Sequence, residues 1–331
     1  MEIVPGIHLL KVPIPDNPLG YLNSYLVKAD EGCLLVDTGW NTDEAFGSLA
    51  RQLGEEGVSF TDLKYIAITH VHPDHYGLVG RLKQHTKAEL VIHEIERSFL
   101  ESRYVRYENL LDEMDQWLRI NGVPEADRPQ LQRASLAVLG LVWVAMPDHP
   151  VRGGEHLKVG DFDFEVIWTP GHSPGHICLY ERARRVLMSG DHVLPVITPN
   201  VSMHSQSMGN PLADYVDSLR AVEALPADVI LPAHEHVFHD LPKRIKEIHE
   251  HHAERKRHIV EAFAGEPKTG YQIAATIPWE TMGVAWPDLA PLHKRSAVTE
   301  TLAHLELMRA EGILIKSSKD GVVCYAVAQP K

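Results

Sequence analysis

Tyr65-Ile-Ala-Ile-Thr-His-Val-His-Pro-Asp-His-Tyr-Gly-Leu-Val-Gly80 decides how the rest of the chain is read. The apolar run Ile66-Ala67-Ile68 reads as a buried strand. It delivers His70, His72, Asp74 and His75 in H-x-H-x-D-H order. A strand rises about 3.3 Å per residue and alternates faces, so His70 and His72 at its end can point the same way, toward one ion. Pro73 stops strand pairing. The turn beyond it can bring Asp74 and His75 round to a second ion. Imidazole and carboxylate suit zinc, iron or manganese. The alternative is a His-rich surface turn, and four potential ligands in six residues after a buried strand weigh against it.

Outward from this stretch the chain alternates strands and helices, which predicts an α/β sandwich. Strands are expected over residues 3–13, 20–28, 32–36, 64–69, 89–93, 156–159, 162–168, 177–180, 186–190 and 228–232. Helices are expected over 43–55, 77–85 and 211–223. Between about 94 and 150 the pattern turns helical, with residues 98–118 and 129–146 rich in apolar side chains. Such an insert suits a lid over the site or a dimerisation surface. A boundary falls near Leu241-Pro242, giving a catalytic domain over 1–241 and a smaller one over 242–331. The latter reads as a long charged helix over 243–263, two further helices and a hairpin turning at Asp320-Gly321. Lys243, Arg244, Lys246, Arg255, Lys256 and Arg257 interleave with Glu247, Glu250 and Glu254, as on a solvated helix.

The chain has 331 residues, 44% hydrophobic and 23% charged, enough for a large core. Its formal net charge of -13 argues against general binding to nucleic acid or anionic membrane. Cys33, Cys178 and Cys324 form no CxxC motif or disulfide framework and read as small buried hydrophobes in a reducing cytosol. The N-terminus lacks the pattern of a signal peptide, and no apolar run is long enough to span a bilayer; a cytoplasmic protein is expected.

Three more stretches follow apolar strands: Thr169-Pro-Gly-His-Ser-Pro-Gly-His176, Ser189-Gly-Asp-His192 and Pro232-Ala-His-Glu-His236. Each sets a ligand-capable residue on a loop just past a strand end, where sites of α/β folds assemble. With Leu35-Val-Asp-Thr-Gly39 and the opening stretch, they make the chain resemble the metallo-β-lactamase superfamily over roughly residues 5–240. The resemblance implies an αββα sandwich with a binuclear metal centre, most readily zinc, at one sheet edge. It implies His70, His72 and His172 on the first metal, Asp74, His75 and His234 on the second, and Asp191 bridging both. His172 is taken over His176, and His234 over His236, as the first His of each motif. His176, His192 and His236 are left as supporting or substrate-side residues, His236 reading equally as solvated surface. Asp37 is expected to orient a ligand histidine or loop amides.

Asp74 and the bridging-type Asp191 match the glyoxalase II, lactonase and nuclease branches and depart from the true β-lactamases. The expected activity is metal-dependent hydrolysis. Two cations lower the pKa of a shared water, and the hydroxide attacks an ester, thioester or lactone carbonyl. Asp74 ligates and orients it or relays a proton. Tyr104, Tyr107, Trp117, Trp143 and Met146 of the insert suggest a hydrophobic small-molecule substrate. The alternative is a metal-dependent endoribonuclease or phosphodiesterase, against which the net acidity counts. The C-terminal part resembles, by pattern, the winged-helix tail of one group of these hydrolases. Its balanced charge points to packing or homodimerisation rather than DNA binding.

Overall fold

Cys33 and Leu35 face one side of a strand and Leu34 and Val36 the other, and each pair enters a different core. This alternation organises the computed structural model, which describes residues 1–281 and 283–329. The chain divides into two compact units. The first comprises Met1–Val105, Ala137–Pro199 and Ser218–Ile245; the second comprises Arg106–Leu136, Asn200–Asp217 and the chain from Lys246 onward.

The first unit holds two mixed sheets. Seven strands lie in sequence order: β1 (Glu2–Val4), β2 (Ile7–Pro13), β3 (Tyr21–Ala29), β4 (Gly32–Val36), β5 (Leu63–Ala67), β6 (Glu89–His93) and β7 (His149–Val151). β1 to β4 pair antiparallel, and β4 to β7 pair parallel. The second sheet runs β12 (Val229–Pro232), β11 (Val186–Gly190), β10 (Ile177–Glu181), β9 (Phe162–Trp168) and β8 (His156–Val159), with only β11 and β12 parallel. Val27, Leu34, Val36 and Val91 of the first sheet share one buried core with Phe164, Val166, Leu179 and Met188 of the second. Leu35, Ile66, Leu90 and Ile92, on the opposite face, pack in a core with Ala45, Leu49 and Leu53. Those three are the buried stripe of the helix Asp43–Glu55. Thr42 caps that helix, its side chain accepting from the Ala45 amide at 3.1 Å, and Asp43 and Glu44 complement the positive end of its dipole.

The second unit builds its own core from Met114 and Leu118 (helix Tyr107–Ile120), Ile259 and Phe263, Ile273, and Val298, Leu302 and Leu305 (helix Pro291–Ala310). Thr269 and Gln272 form a capping box at the start of the helix Gly270–Ala274. β13 (Leu314–Lys319) and β14 (Val322–Val327) form an antiparallel hairpin in which Lys319 faces Val322. The two-residue turn puts Asp320 at φ 52° and Gly321 at φ 78°, the left-handed pair that matches strand twist.

Three expectations are corrected. The helical run over 98–118 is interrupted: a helix Glu94–Leu100 continues as a π-helical turn over Glu101–Val105, and a separate helix starts at Tyr107. The second unit begins within this break, so the expected insert contributes Arg106–Leu136 to it. The run over 129–146 gives only the short helices Arg128–Gln132 and Leu136–Leu139. Beyond the last local bonds, from Leu141 and Val142 to Val138 and Leu139, the backbone bonds elsewhere: Asn41 N–H donates to Leu141 O, Trp143 N–H to Gly77 O, and Gly80 N–H to Trp143 O. A Cβ at Gly77 would lie 2.4 Å from Leu141 O, and one at Gly80 2.4 Å from Trp143 O, so this approach requires glycine at both positions. Finally, Arg244 is buried rather than solvated, donating to the carbonyls of Leu194, Val196 and Ile197. Among the described residues no helix is long and apolar enough to cross a membrane.

Candidate metal centre

Every candidate ligand sits just past the C-terminal end of a strand. His70 and His72 follow β5, and Asp74 and His75 lie in the short helix Pro73–Tyr76 that Pro73 opens. His172 follows β9, Asp191 follows β11, and His234 follows β12. Parallel neighbours end at the same edge of their sheet, so loops distant in sequence meet there.

His70 Nε2, His72 Nδ1 and His172 Nε2 face one another, separated by 2.8, 3.0 and 3.2 Å. Nitrogens about 2.05 Å from one zinc in tetrahedral array would be about 3.3 Å apart, close to this spacing. Thr69 Oγ1 donates its one proton to Asp37, 2.9 Å from Oδ2, and so accepts from His70 Nδ1 at 3.2 Å. That leaves a lone pair on His70 Nε2. Burial holds His70 and His72 well below the ordinary histidine range, reinforced by His75 at His70 and by His172 at His72. Neutral rings aiming lone pairs at one point repel unless a cation lies between them.

Asp74, His75 and His234 form a second group, and Asp191 stands between the two. Asp191 Oδ2 lies 3.5 Å from His172 Nε2 and 3.5 Å from His75 Nε2, while Oδ1 lies 3.5 Å from His234 Nε2. Asp74 Oδ2 is 3.3 Å from His234 Nε2 and 3.7 Å from His75 Nε2. Burial opposes ionisation of both carboxyls. The coulombic pull of neighbouring histidines outweighs it and holds them below the usual range, His75 and His234 acting on Asp74, and His234 and His75 on Asp191. Burial likewise opposes protonation of His75 and His234, yet Asp191 with Asp37 at the first, and Asp191 with Asp74 at the second, raise them. The pocket therefore calls for positive charge. His75 Nε2, His234 Nε2 and Asp191 Oδ1 are buried and make no hydrogen bond. Imidazole and carboxylate donors of this kind, with unsatisfied atoms converging, fit divalent cations such as zinc.

Asp37, at φ 57°, accepts from the Thr69 amide at 2.8 Å and from His75 Nδ1 at 2.8 Å. It thereby directs the His75 Nε2 lone pair to the cluster. His176 is buried with both nitrogens engaged: Nε2 accepts from the Asp191 amide at 3.1 Å, so Nδ1 carries the proton and donates to Thr169 Oγ1 at 2.8 Å. It holds the Asp191 backbone rather than a cation. A Cβ at Gly190 would lie 2.6 Å from His176 Nε2, so the Gly-Asp sequence is needed for this contact. His192 is buried, with burial pushing it down to about 3. His236 is exposed.

The insert residues named as an apolar cover are divided between the two units, Tyr107 and Trp117 in the second and Tyr104, Trp143 and Met146 in the first. Tyr104 donates to Val71 O at 2.8 Å, and Trp117 packs against the second unit's core. Trp143 and Met146 are exposed. Val196 and Ile197 are 63% and 41% exposed, and their backbone is tied to the segment that follows His234. Glu235, next to His234, accepts from their amides at 2.9 and 3.3 Å, and Arg244 donates to their carbonyls at 2.8 and 2.9 Å. The sequence reading also missed Glu96, a buried carboxylate bonded to two of the ligand loops. Its only local signal is an acidic residue on the inward side of a helix.

The family model described as Metallo-beta-lactamase superfamily matches residues 17–234. A metallo-beta-lactamase family protein of Thermus thermophilus is 32% identical, with a TM-score of 0.83 over 98% of this chain and 100% of that one. A beta-lactamase domain protein of Burkholderia ambifaria is 27% identical, with a TM-score of 0.77 over 99% of this chain and 94% of the other. A probable metallo-hydrolase of Bacillus subtilis (strain 168), YqjP, is 25% identical over 312 residues, 91% of this chain and 92% of its own length.

Proposed function

The chain belongs to the metallo-β-lactamase superfamily, and from that premise we propose that it is a binuclear metal-dependent hydrolase of ester, thioester or lactone bonds. Its substrate is a small molecule with an apolar portion. The observation that carries the reading is the convergence of His70, His72 and His172 on one point and of Asp74, His75 and His234 on another, with Asp191 facing both. Two bound divalent cations, zinc for preference, would supply an activated water and polarise the scissile carbonyl.

The chain's own residues prepare the site for this. His70, His72 and His172 offer neutral nitrogens to the first cation, and Asp74, His75 and His234 offer donors to the second. Asp191 faces both groups, Oδ2 toward His172 and His75 and Oδ1 toward His234. Asp74, held ionised, orients the attacking water by accepting its hydrogen rather than acting as an acid. Asp37 keeps His75 in its tautomer. Val196 and Ile197, clamped by Glu235 and Arg244, offer a rigid apolar contact for the acyl or ring portion. We read the two helices and hairpin of the second unit as a winged-helix-like tail that packs rather than binds DNA.

A panel of acyl-thioesters, lactones, bis-p-nitrophenyl phosphate and single-stranded RNA tests the proposal. Hydrolysis of carbonyl substrates, rising with acyl chain length, abolished by a chelator and restored by zinc, is expected. Turnover of the phosphodiester or RNA alone would overturn it in favour of the nuclease alternative.

A further inference from the structure

The helix Glu94–Leu100 and the π-helical turn after it take no part in the chemistry above, yet they hold both backbone groups of the residue between two candidate ligands. Val71 lies between His70 and His72. Its N–H donates to Glu96 Oε2 at 3.0 Å, and its carbonyl accepts from Tyr104 Oη at 2.8 Å. Glu96 is fully buried, and its other oxygen, Oε1, accepts from Ser173 Oγ at 2.5 Å and from the Gly175 amide at 2.8 Å. Ser173 follows His172 directly. One carboxylate thus joins the loop carrying His70 and His72 to the loop carrying His172.

The surroundings are shaped for this joint. A Cβ at Gly175 would sit 2.7 Å from Glu96 Cγ and 2.9 Å from Glu96 N, so a larger residue would push the His172 loop away. Glu96 and Tyr104 are eight residues apart, which in an unbroken α-helix places them about 80° apart around the axis. The wider π turn over Glu101–Val105 reduces that offset, and both side chains reach Val71. A buried carboxylate is costly unless its oxygens are satisfied, and three donors satisfy this one.

We propose that Glu96 and Tyr104 are positioning residues that set the spacing of the His70, His72 and His172 nitrogens, and so the cation affinity of that group specifically. The inference rests on the reading that those histidines hold a cation. The second group has its own support in Asp37, which accepts from His75.

The test is competitive zinc titration against a chromophoric chelator, with cobalt absorption spectra as a second readout, on wild type, Glu96→Gln, Tyr104→Phe and the control Glu94→Gln. Glutamine cannot satisfy all three donors: its amide NH2 must face the N–H of either Val71 or Gly175. Glu96→Gln is expected to weaken one of the two sites 10- to 100-fold, to alter its cobalt spectrum and to leave the other within about twofold. Tyr104→Phe should give a smaller loss at the same site. Glu94, which shares the helix with Glu96 and pairs with Arg152 instead, should show no effect when changed to Gln. Tyr104→Phe loses one hydroxyl from an unchanged ring and decides the matter if Glu96→Gln does not fold. Wild type binding two zinc ions, with both affinities unchanged in the variants, would overturn this inference alone. Wild type binding none would overturn it together with the functional reading.

Discussion

At the scale of single residues, the site depends on where protons sit. Asp37 takes the Nδ1 proton of His75 and, through Thr69, fixes His70 as well. Asp37→Asn leaves one acceptor oxygen where two are used, so its NH2 must face either the Thr69 amide or His75 Nδ1, the latter clashing with the ring proton or forcing the opposite tautomer. Removing such a partner typically costs 10- to 100-fold in metal affinity or activity. Zinc affinity and kcat should both fall by about that factor with the far-UV circular dichroism spectrum unchanged; unchanged zinc affinity would contradict this role for Asp37. The same logic gives His176 a non-ligand part. Its Nε2 is already occupied by the Asp191 amide, so His176→Gln should shift Asp191 without removing a donor. Its zinc stoichiometry is therefore expected to stay at two per chain while kcat drops.

At the scale of elements, close backbone approach is what the stretch after Leu139 depends on. Gly77→Ala would drive a Cβ within 2.5 Å of Pro73 O as well as 2.4 Å of Leu141 O. A loss of about 1–3 kcal/mol in urea unfolding is expected, the range for an overpacked site; a change under about 0.5 kcal/mol would show that residues 141–146 yield freely. This contact also explains where sequence reading stops. The strands over 89–93, 156–159 and 162–168 and the helices over 43–55 and 211–223 coincide with the structure because periodicity and caps are local signals. Residues 141–146 read as helix because their apolar side chains are dense, yet after the local bonds of Leu141 and Val142 to Val138 and Leu139 their partners are Asn41, Tyr76, Gly77 and Gly80, which no window around them contains. The candidate ligands are legible because metal chemistry requires His and Asp at strand ends. Glu96 is not, because its partners lie 25, 77 and 79 residues away and its type and spacing match an ordinary helix residue.

At the scale of the whole molecule, stability should respond to pH through a second cluster of titratable groups, which belongs to the second unit while the candidate ligands belong to the first. Burial pushes Glu300 up to about 7, while Arg255 and Asn200 pull the other way. A carboxyl that titrates higher folded than unfolded stabilises the fold below its unfolded value of 4.5 and loses that contribution as pH rises through about 7. His304, pushed down to about 3 mainly by burial, has the opposite sign: its contribution is present above 6.5 and lost as pH falls. Comparing wild type with Glu300→Gln isolates the first effect. The variant should gain relative stability between pH 4.5 and 7, by about 3 kcal/mol at most. A melting-temperature difference that does not change with pH would contradict it.

The central claim is that seven side chains from four separate stretches enclose two cations. Zinc content by elemental analysis, on wild type and on Asp191→Ala, addresses it directly. Two zinc ions per wild-type chain are expected, with a marked loss of content in Asp191→Ala, since that carboxylate faces both groups. A wild-type chain that retains no zinc after dialysis against the metal, or an Asp191→Ala chain that still holds two as tightly, would contradict the account.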